Sequence, residues 1–189
     1  MVRCLLPCRE THVTSETSAI PRTTRSDANP VTLAALAIMA IATATIAGAW
    51  FFQLVLGIQP CPMCLEQRYA YYTLIPLAAL VAIGAARGSP RNALLLGLAL
   101  LALIALANAV YGAYHAGVEW GFWKGPTSCT GSLVQFGGNL LDQLDKVKVV
   151  PCDVVQWRFL GISLAGYNAL ISALMAAIAA LGFARTVRH

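Results

Sequence analysis

Residues 60–68 read PCPMCLEQR. Cys61 and Cys64 stand three apart, and Arg68 lies four residues past the second cysteine. The stretch falls between two long apolar runs. A C-x-x-C pair is the arrangement redox enzymes use, because a ring with two intervening residues opens and closes reversibly. An arginine at i+4 on a helix beginning near Cys64 would lie on the same face as that sulfur. A fixed positive charge there, like a helix N-terminus, favours the thiolate, which is the nucleophile.

The surroundings set the compartment. The chain has 189 residues, of which 58% are hydrophobic and 11% charged. A soluble domain carries about 25% charge. Four runs are long enough to span a bilayer, about 31–56, 69–86, 93–114 and 160–183, each near the roughly 20 residues a hydrocarbon core requires. Backbone polar groups in lipid must be satisfied within the segment, so the runs are expected to be helices. The fold class is therefore all-α: a bundle of four transmembrane helices in a lipid bilayer. Pro76, inside the second run, is expected to kink or loosen it.

Arginines orient the bundle. Arg3, Arg9, Arg22 and Arg25 precede the first run, Arg87 and Arg91 lie between the second and third, and Arg185 and Arg188 follow the fourth. The positive-inside rule places these segments in the cytoplasm, with both termini on that side. The loops at about 57–68 and 115–159 then lie outside. Three regions follow: a disordered cytoplasmic tail over 1–30, a transmembrane domain over 31–184 and a cytoplasmic stub over 185–189. The tail is polar and aperiodic. It does not read as a signal peptide, because the apolar run after it is long and lacks a clear cleavage site. The true start codon could lie further in. The net charge of +5 reads as membrane orientation; nothing in the chain reads as a nucleic-acid module.

Of six cysteines, Cys4 and Cys8 fall in the tail and are expected to stay reduced. Cys61, Cys64, Cys129 and Cys152 all fall on the outer face, where disulfides persist. Four cysteines allow three pairings, and spacing favours Cys61 with Cys64 and Cys129 with Cys152. The second pair, taken alone, reads as a loop staple. A zinc site built from the four thiols is a competing reading, and haem attachment would need His where Leu65 stands. Arg68 also fits an interfacial arginine snorkelling to phosphates. His115, at the outer end of the third run, fits an interfacial histidine. Glu66 and Glu119 read as solvated rim charges. Leu140, Leu141 and Leu144 suggest a short amphipathic piece on the membrane surface.

A membrane dithiol needs an electron acceptor. The chain has no nucleotide-binding glycine motif and no haem or iron–sulfur ligand set, which leaves a lipid-soluble quinone, ubiquinone or menaquinone. The sequence resembles the disulfide bond formation protein B family, quinone-dependent oxidases of the periplasmic thiol oxidase DsbA. The resemblance rests on PCPMCLEQR, YHAGVEWGFW, PTSC and PCDVVQWRFLGIS, and covers roughly residues 31 to 183. It implies that Cys61 and Cys64 form the quinone-coupled pair, with Cys64 beside the quinone and Arg68 supporting both. His115 falls at the family's quinone-site histidine. Cys129 would form the mixed disulfide with a DsbA-like partner, and Cys152 would relay electrons to Cys61. Gly137 and Gly138 would let that loop flex. A bacterial inner-membrane location follows from the same resemblance. Competing readings are a non-enzymatic scaffold with structural loop disulfides and an enzyme of the vitamin K epoxide reductase type, in which the C-x-x-C follows the loop pair; here it comes first.

Overall fold

The structure is a computed structural model, and it describes residues 29–126, 129 and 150–188. The tail with Cys4 and Cys8, the proposed amphipathic piece at Leu140–Leu144 and the Gly137–Gly138 hinge lie outside these residues. Four long helices form: α1 Pro30–Leu54, α2 Pro62–Ala86, α3 Arg91–Glu119 and α4 Leu164–Arg188. Among the described residues these four are long and apolar enough to cross a membrane. Each is apolar around its whole circumference. Leucines such as Leu80, Leu103 and Leu174 are exposed on outer faces, as expected where the surroundings are hydrocarbon.

Helix boundaries follow local chemistry. The Asn29 side chain accepts from the Val31 N–H at 3.0 Å, and Pro30 stands where its missing N–H costs nothing. Helix α2 starts at Pro62, well before the apolar run at Tyr69, for the same reason. It continues unbroken through Pro76. Helix α3 runs past the apolar segment to Glu119, and so takes in His115. Arg91 at the start of α3 donates to Thr186 O and Val187 O at 2.8–3.2 Å, closing carbonyls left open at the end of α4.

The helices form a closed ring. α1 packs on α2 and α4, α3 packs on α2 and α4, and the diagonal α1–α3 pair barely touches. Ile38, Leu74, Leu98, Leu101 and Met175 fill the centre. Small residues set the spacing between axes. A Cβ at Gly112 would stand 2.9 Å from Asn168 Nδ2 and 3.0 Å from Ala169 N, so α3 and α4 meet there almost backbone to backbone. Ahead of α4 the chain makes a two-stranded hairpin, β1 Arg158–Phe159 with β2 Ile162–Ser163. Its turn residues Leu160 and Gly161 both have positive φ, 49° and 83°. This is the handedness that suits a two-residue hairpin. Because the helices alternate in direction, the start of α2, the end of α3 and the hairpin gather at one end of the bundle. Arg87, Arg91, Arg185 and Arg188 gather at the other.

Candidate functional site: a buried dithiol beside a disulfide and an apolar cavity

The site is built on the first turn of α2. Cys61 precedes a proline and is held extended, with φ −71° and ψ 164°. That conformation makes it the N-cap. Its sulfur accepts from the Cys64 backbone N–H at 3.3 Å. Cys64, one turn on, brings its Sγ to 2.8 Å from Cys61 Sγ. Both cysteines are free thiols, Cys61 buried and Cys64 partly open. His115, on α3, places Nε2 at 3.6 Å from Cys61 Sγ.

These donors converge on Cys61. Its thiol is pulled from 9.0 down to about 5, chiefly by the hydrogen bond from Cys64. Burial opposes the shift, and the hydrogen bonds from His115 and the Cys64 backbone add to it. The reduced pair therefore shares one proton between the two sulfurs, and the donors around Cys61 favour the anion there. The sequence pointed to Cys64 because Arg68 follows it by four residues. Arg68 instead turns towards α1, donating to Gln53 Oε1 at 2.7 Å and to Ala49 O at 3.4 Å, with its guanidinium 5.4 Å from the centre of the Trp50 ring.

Cys129 and Cys152 are joined as a disulfide, with Cα atoms 5.4 Å apart. The Cys152 N–H donates to Cys129 O at 3.0 Å. Both are buried, and with Cys61 and Met63 they form one cluster, against which Cys64, Tyr111, Tyr114 and Val150 pack. A zinc site of four thiols is thus short of two ligands in this state. Cys61, Cys64 and His115 still bring three ligating atoms within 4.8 Å of one another.

Beside the dithiol and Cys152 lies a cavity of about 400 Å³, bordered by Cys61, Cys64, Arg68, His115, Glu119 and Trp157. Its size is in the range of small-molecule sites, about 300–1,000 Å³. The walls are mostly apolar with polar side chains such as Arg68 among them, a set that fits a quinone: hydrocarbon for the ring and tail, a charged donor for a carbonyl oxygen.

Three residues of the site escaped the sequence. Gln67 is buried, with Nε2 at 3.0 Å from His115 Nδ1. Asn168, from α4, donates to Gln67 Oε1 at 2.8 Å. Glu119 is not a solvated rim charge. It bonds Ser163, lines the cavity and has its Oε2 buried with no hydrogen-bond partner among the described residues. Glu66 does lie at the exposed rim, where it accepts from the Tyr111 hydroxyl. The available signal was polar residues inside apolar runs, such as Asn108 and Asn168, which are costly in lipid and mark function.

Comparison with known proteins gives the family. A family model described as "Disulfide bond formation protein DsbB" matches residues 31–182. A "Disulfide bond formation protein B" of Polaromonas sp. is 28% identical over 171 residues, covering 86% of this chain and 96% of the relative. One from Verminephrobacter eiseniae is 32% identical over 162 residues, 81% and 86% of the two chains. "Disulfide bond formation protein B 1" of Pseudomonas fluorescens is 32% identical over 153 residues, 77% and 85%. With its four membrane-length helices, the chain belongs to the disulfide bond formation protein B family, as a transmembrane oxidoreductase of disulfide-bond formation.

Proposed function

We propose that the protein reoxidises a periplasmic DsbA-like dithiol protein and passes the electrons through its two cysteine pairs to a membrane quinone, ubiquinone or menaquinone. The observation that carries this reading is the position of the C-x-x-C pair. Cys61 and Cys64 both pack in the cluster that holds the Cys129–Cys152 disulfide, and both line the apolar cavity. The dithiol thus bridges a disulfide and a ligand site.

The steps balance as two-electron exchanges. A thiolate of the partner attacks Cys129 Sγ, breaks the Cys129–Cys152 bond and releases Cys152 as a thiolate. The partner's second thiolate then attacks its own sulfur in the mixed disulfide, leaving the partner oxidised and Cys129 reduced. Cys152 attacks Cys61 of an oxidised Cys61–Cys64 pair, and Cys64 leaves as a thiolate at the cavity wall. Cys129 resolves the Cys152–Cys61 bond, restoring its own disulfide and freeing Cys61. The reduced dithiol beside the Cys129–Cys152 disulfide corresponds to this stage. A bound quinone accepts two electrons and two protons and becomes a quinol. Cys61 and Cys64 regain their disulfide as they give these up. Arg68 would orient a carbonyl group, His115 lines the same wall while holding Cys61, and Glu119 Oε2 offers a buried proton-accepting atom there.

The arginines at the far end of the bundle support, by the positive-inside rule, an orientation with both termini in the cytoplasm and the cysteine end in the periplasm of a bacterial inner membrane. The membrane segment corresponds to residues 31–184, flanked by the tail over 1–30 and the stub over 185–189. The test is anaerobic quinone reduction by the purified protein in detergent with a reduced DsbA-like partner. Cys64→Ser should abolish it. A normal rate in that variant would refute the proposal. A wild-type protein that stays fully oxidised and inert would point to a structural disulfide scaffold.

A further inference from the structure

We infer that Asn168, with no contact to either sulfur, sets which ring nitrogen of His115 carries the proton and so makes His115 an N–H donor to Cys61 and a poor metal ligand. Hydrogen-bond directions decide the tautomer. Inside the bundle, Asn108 Nδ2 donates to Ser172 Oγ at 2.9 Å and towards Asn168 Oδ1 at 3.4 Å. The Tyr71 hydroxyl also donates to Asn168 Oδ1. With its own proton so used, Tyr71 must accept from the Ser172 hydroxyl, 3.1 Å away. Two donors thus fix the Asn168 carbonyl on their side, which turns its Nδ2 towards Gln67 Oε1. That fixes Gln67 in turn, and its Nε2 faces His115 Nδ1 as a donor. Nδ1 is therefore the accepting nitrogen, and the neutral ring carries its hydrogen on Nε2, directed at Cys61 Sγ. Every link donates in the same direction, ending on the sulfur that collects donors.

The consequence separates two chemistries that the same three side chains could support. Cys61, Cys64 and His115 have the composition of a Cys2His zinc site. A histidine that binds metal through Nε2 needs its hydrogen on Nδ1, donated to an acceptor. Here the Gln67 amide N–H occupies that direction. Binding a metal would require Gln67 to turn over, setting its amide group against that of Asn168. Turning one link over would leave like groups facing each other, and a buried unsatisfied polar group is costly. A thiol pair that must remain free for electron transfer is thereby protected from soft metal ions.

The inference needs neither quinone nor partner, so its failure would be separate from a failure of the electron relay. The test uses the full chain in detergent, reduced at Cys61/Cys64, with ¹⁵N-labelled histidine. The only other histidines are His12 and His189, and a His115→Gln variant assigns the signal. Wild type should show the Nε2–H form at His115. Asn168→Asp supplies only acceptors, so Gln67 should rotate, present Oε1 to His115 and move the proton to Nδ1. Gln67→Glu should do the same one link later, with Asn168 intact. Zinc titration of both variants should give affinity at least about tenfold above wild type, the usual scale for a metal site's supporting hydrogen bonds. Retention of the Cys129–Cys152 disulfide reports that each variant is folded. If Asn168→Asp misfolds, Gln67→Glu decides alone. Nε2–H retained in a folded variant, or zinc affinity unchanged, would overturn the inference.

Discussion

The lowered pKa of Cys61 makes a prediction about redox potential. A disulfide reduced to two thiols takes up two protons with two electrons; one reduced to a thiol and a thiolate takes up one. With Cys61 titrating at about 5 rather than 9.0, the crossover should come near pH 5. The sign follows from the direction of the shift. The environment favours the thiolate of the reduced pair, and this advantage is full above pH 9, shrinks as pH falls and is gone below pH 5. At pH 7 it amounts to about 2.7 kcal/mol, which makes the pair about 60 mV more oxidising than an unperturbed dithiol. Cys61 is 2% exposed, so solvent does little to screen the effect. The assay is equilibration of a Cys129→Ser/Cys152→Ser variant, free of quinone, with glutathione buffers from pH 4 to 8, followed by alkylation of free thiols. The potential should fall by about 59 mV per pH unit below the crossover and by about 30 mV per unit above it. A single slope of about 59 mV through pH 8 would mean that both sulfurs keep their protons, and would refute the convergence of donors on Cys61.

Three further perturbations follow from the geometry. Arg68→Met removes the bonds to Gln53 and Ala49 and a charge from the cavity wall. Hydrogen bonds of charged groups contribute about 1.5–3 kcal/mol, so KM for quinone should rise about tenfold or more, measured by steady-state quinone reduction. Gly112→Ala puts a Cβ against Asn168 and Ala169; it should destabilise the bundle by about 1–3 kcal/mol and lower Tm in detergent. Leu160→Asn replaces a β-turn leucine held at φ 49° with a residue that tolerates the left-handed region, and should raise stability by about 1 kcal/mol, again read as Tm.

The four helices were legible because their signal is long and nearly free of charge, and the family because PCPMCLEQR and the flanking motifs are contiguous. The C-x-x-C at a helix start was foreseeable from Pro62, since proline is suited to the first turn and forces an extended residue before it. What the sequence hid depends on how helices close against one another. Gln67 reads as one polar residue among several at the head of α2. Only when Gly112 lets α4 approach α3 does Asn168 come within reach of it. Glu119 looked like a rim charge because α3 was expected to end near Tyr114. Its continuation to Glu119 carries that carboxylate to Ser163 and the cavity. Arg68 had the right spacing from Cys64, but a long side chain goes where acceptors are, and Gln53 and the Ala49 carbonyl lie on α1.

The central claim is that electrons leave a dithiol partner through the buried cysteine cluster and arrive on a quinone at the cavity. The most direct measurement is single-turnover stoichiometry without oxygen: reduced partner, purified protein and quinone, with partner disulfide and quinol quantified together. Wild type should give one quinol per partner disulfide, and Cys61→Ser or Cys129→Ser neither product. Partner disulfide appearing without quinol, or both forming at the normal rate without Cys61, would contradict this relay.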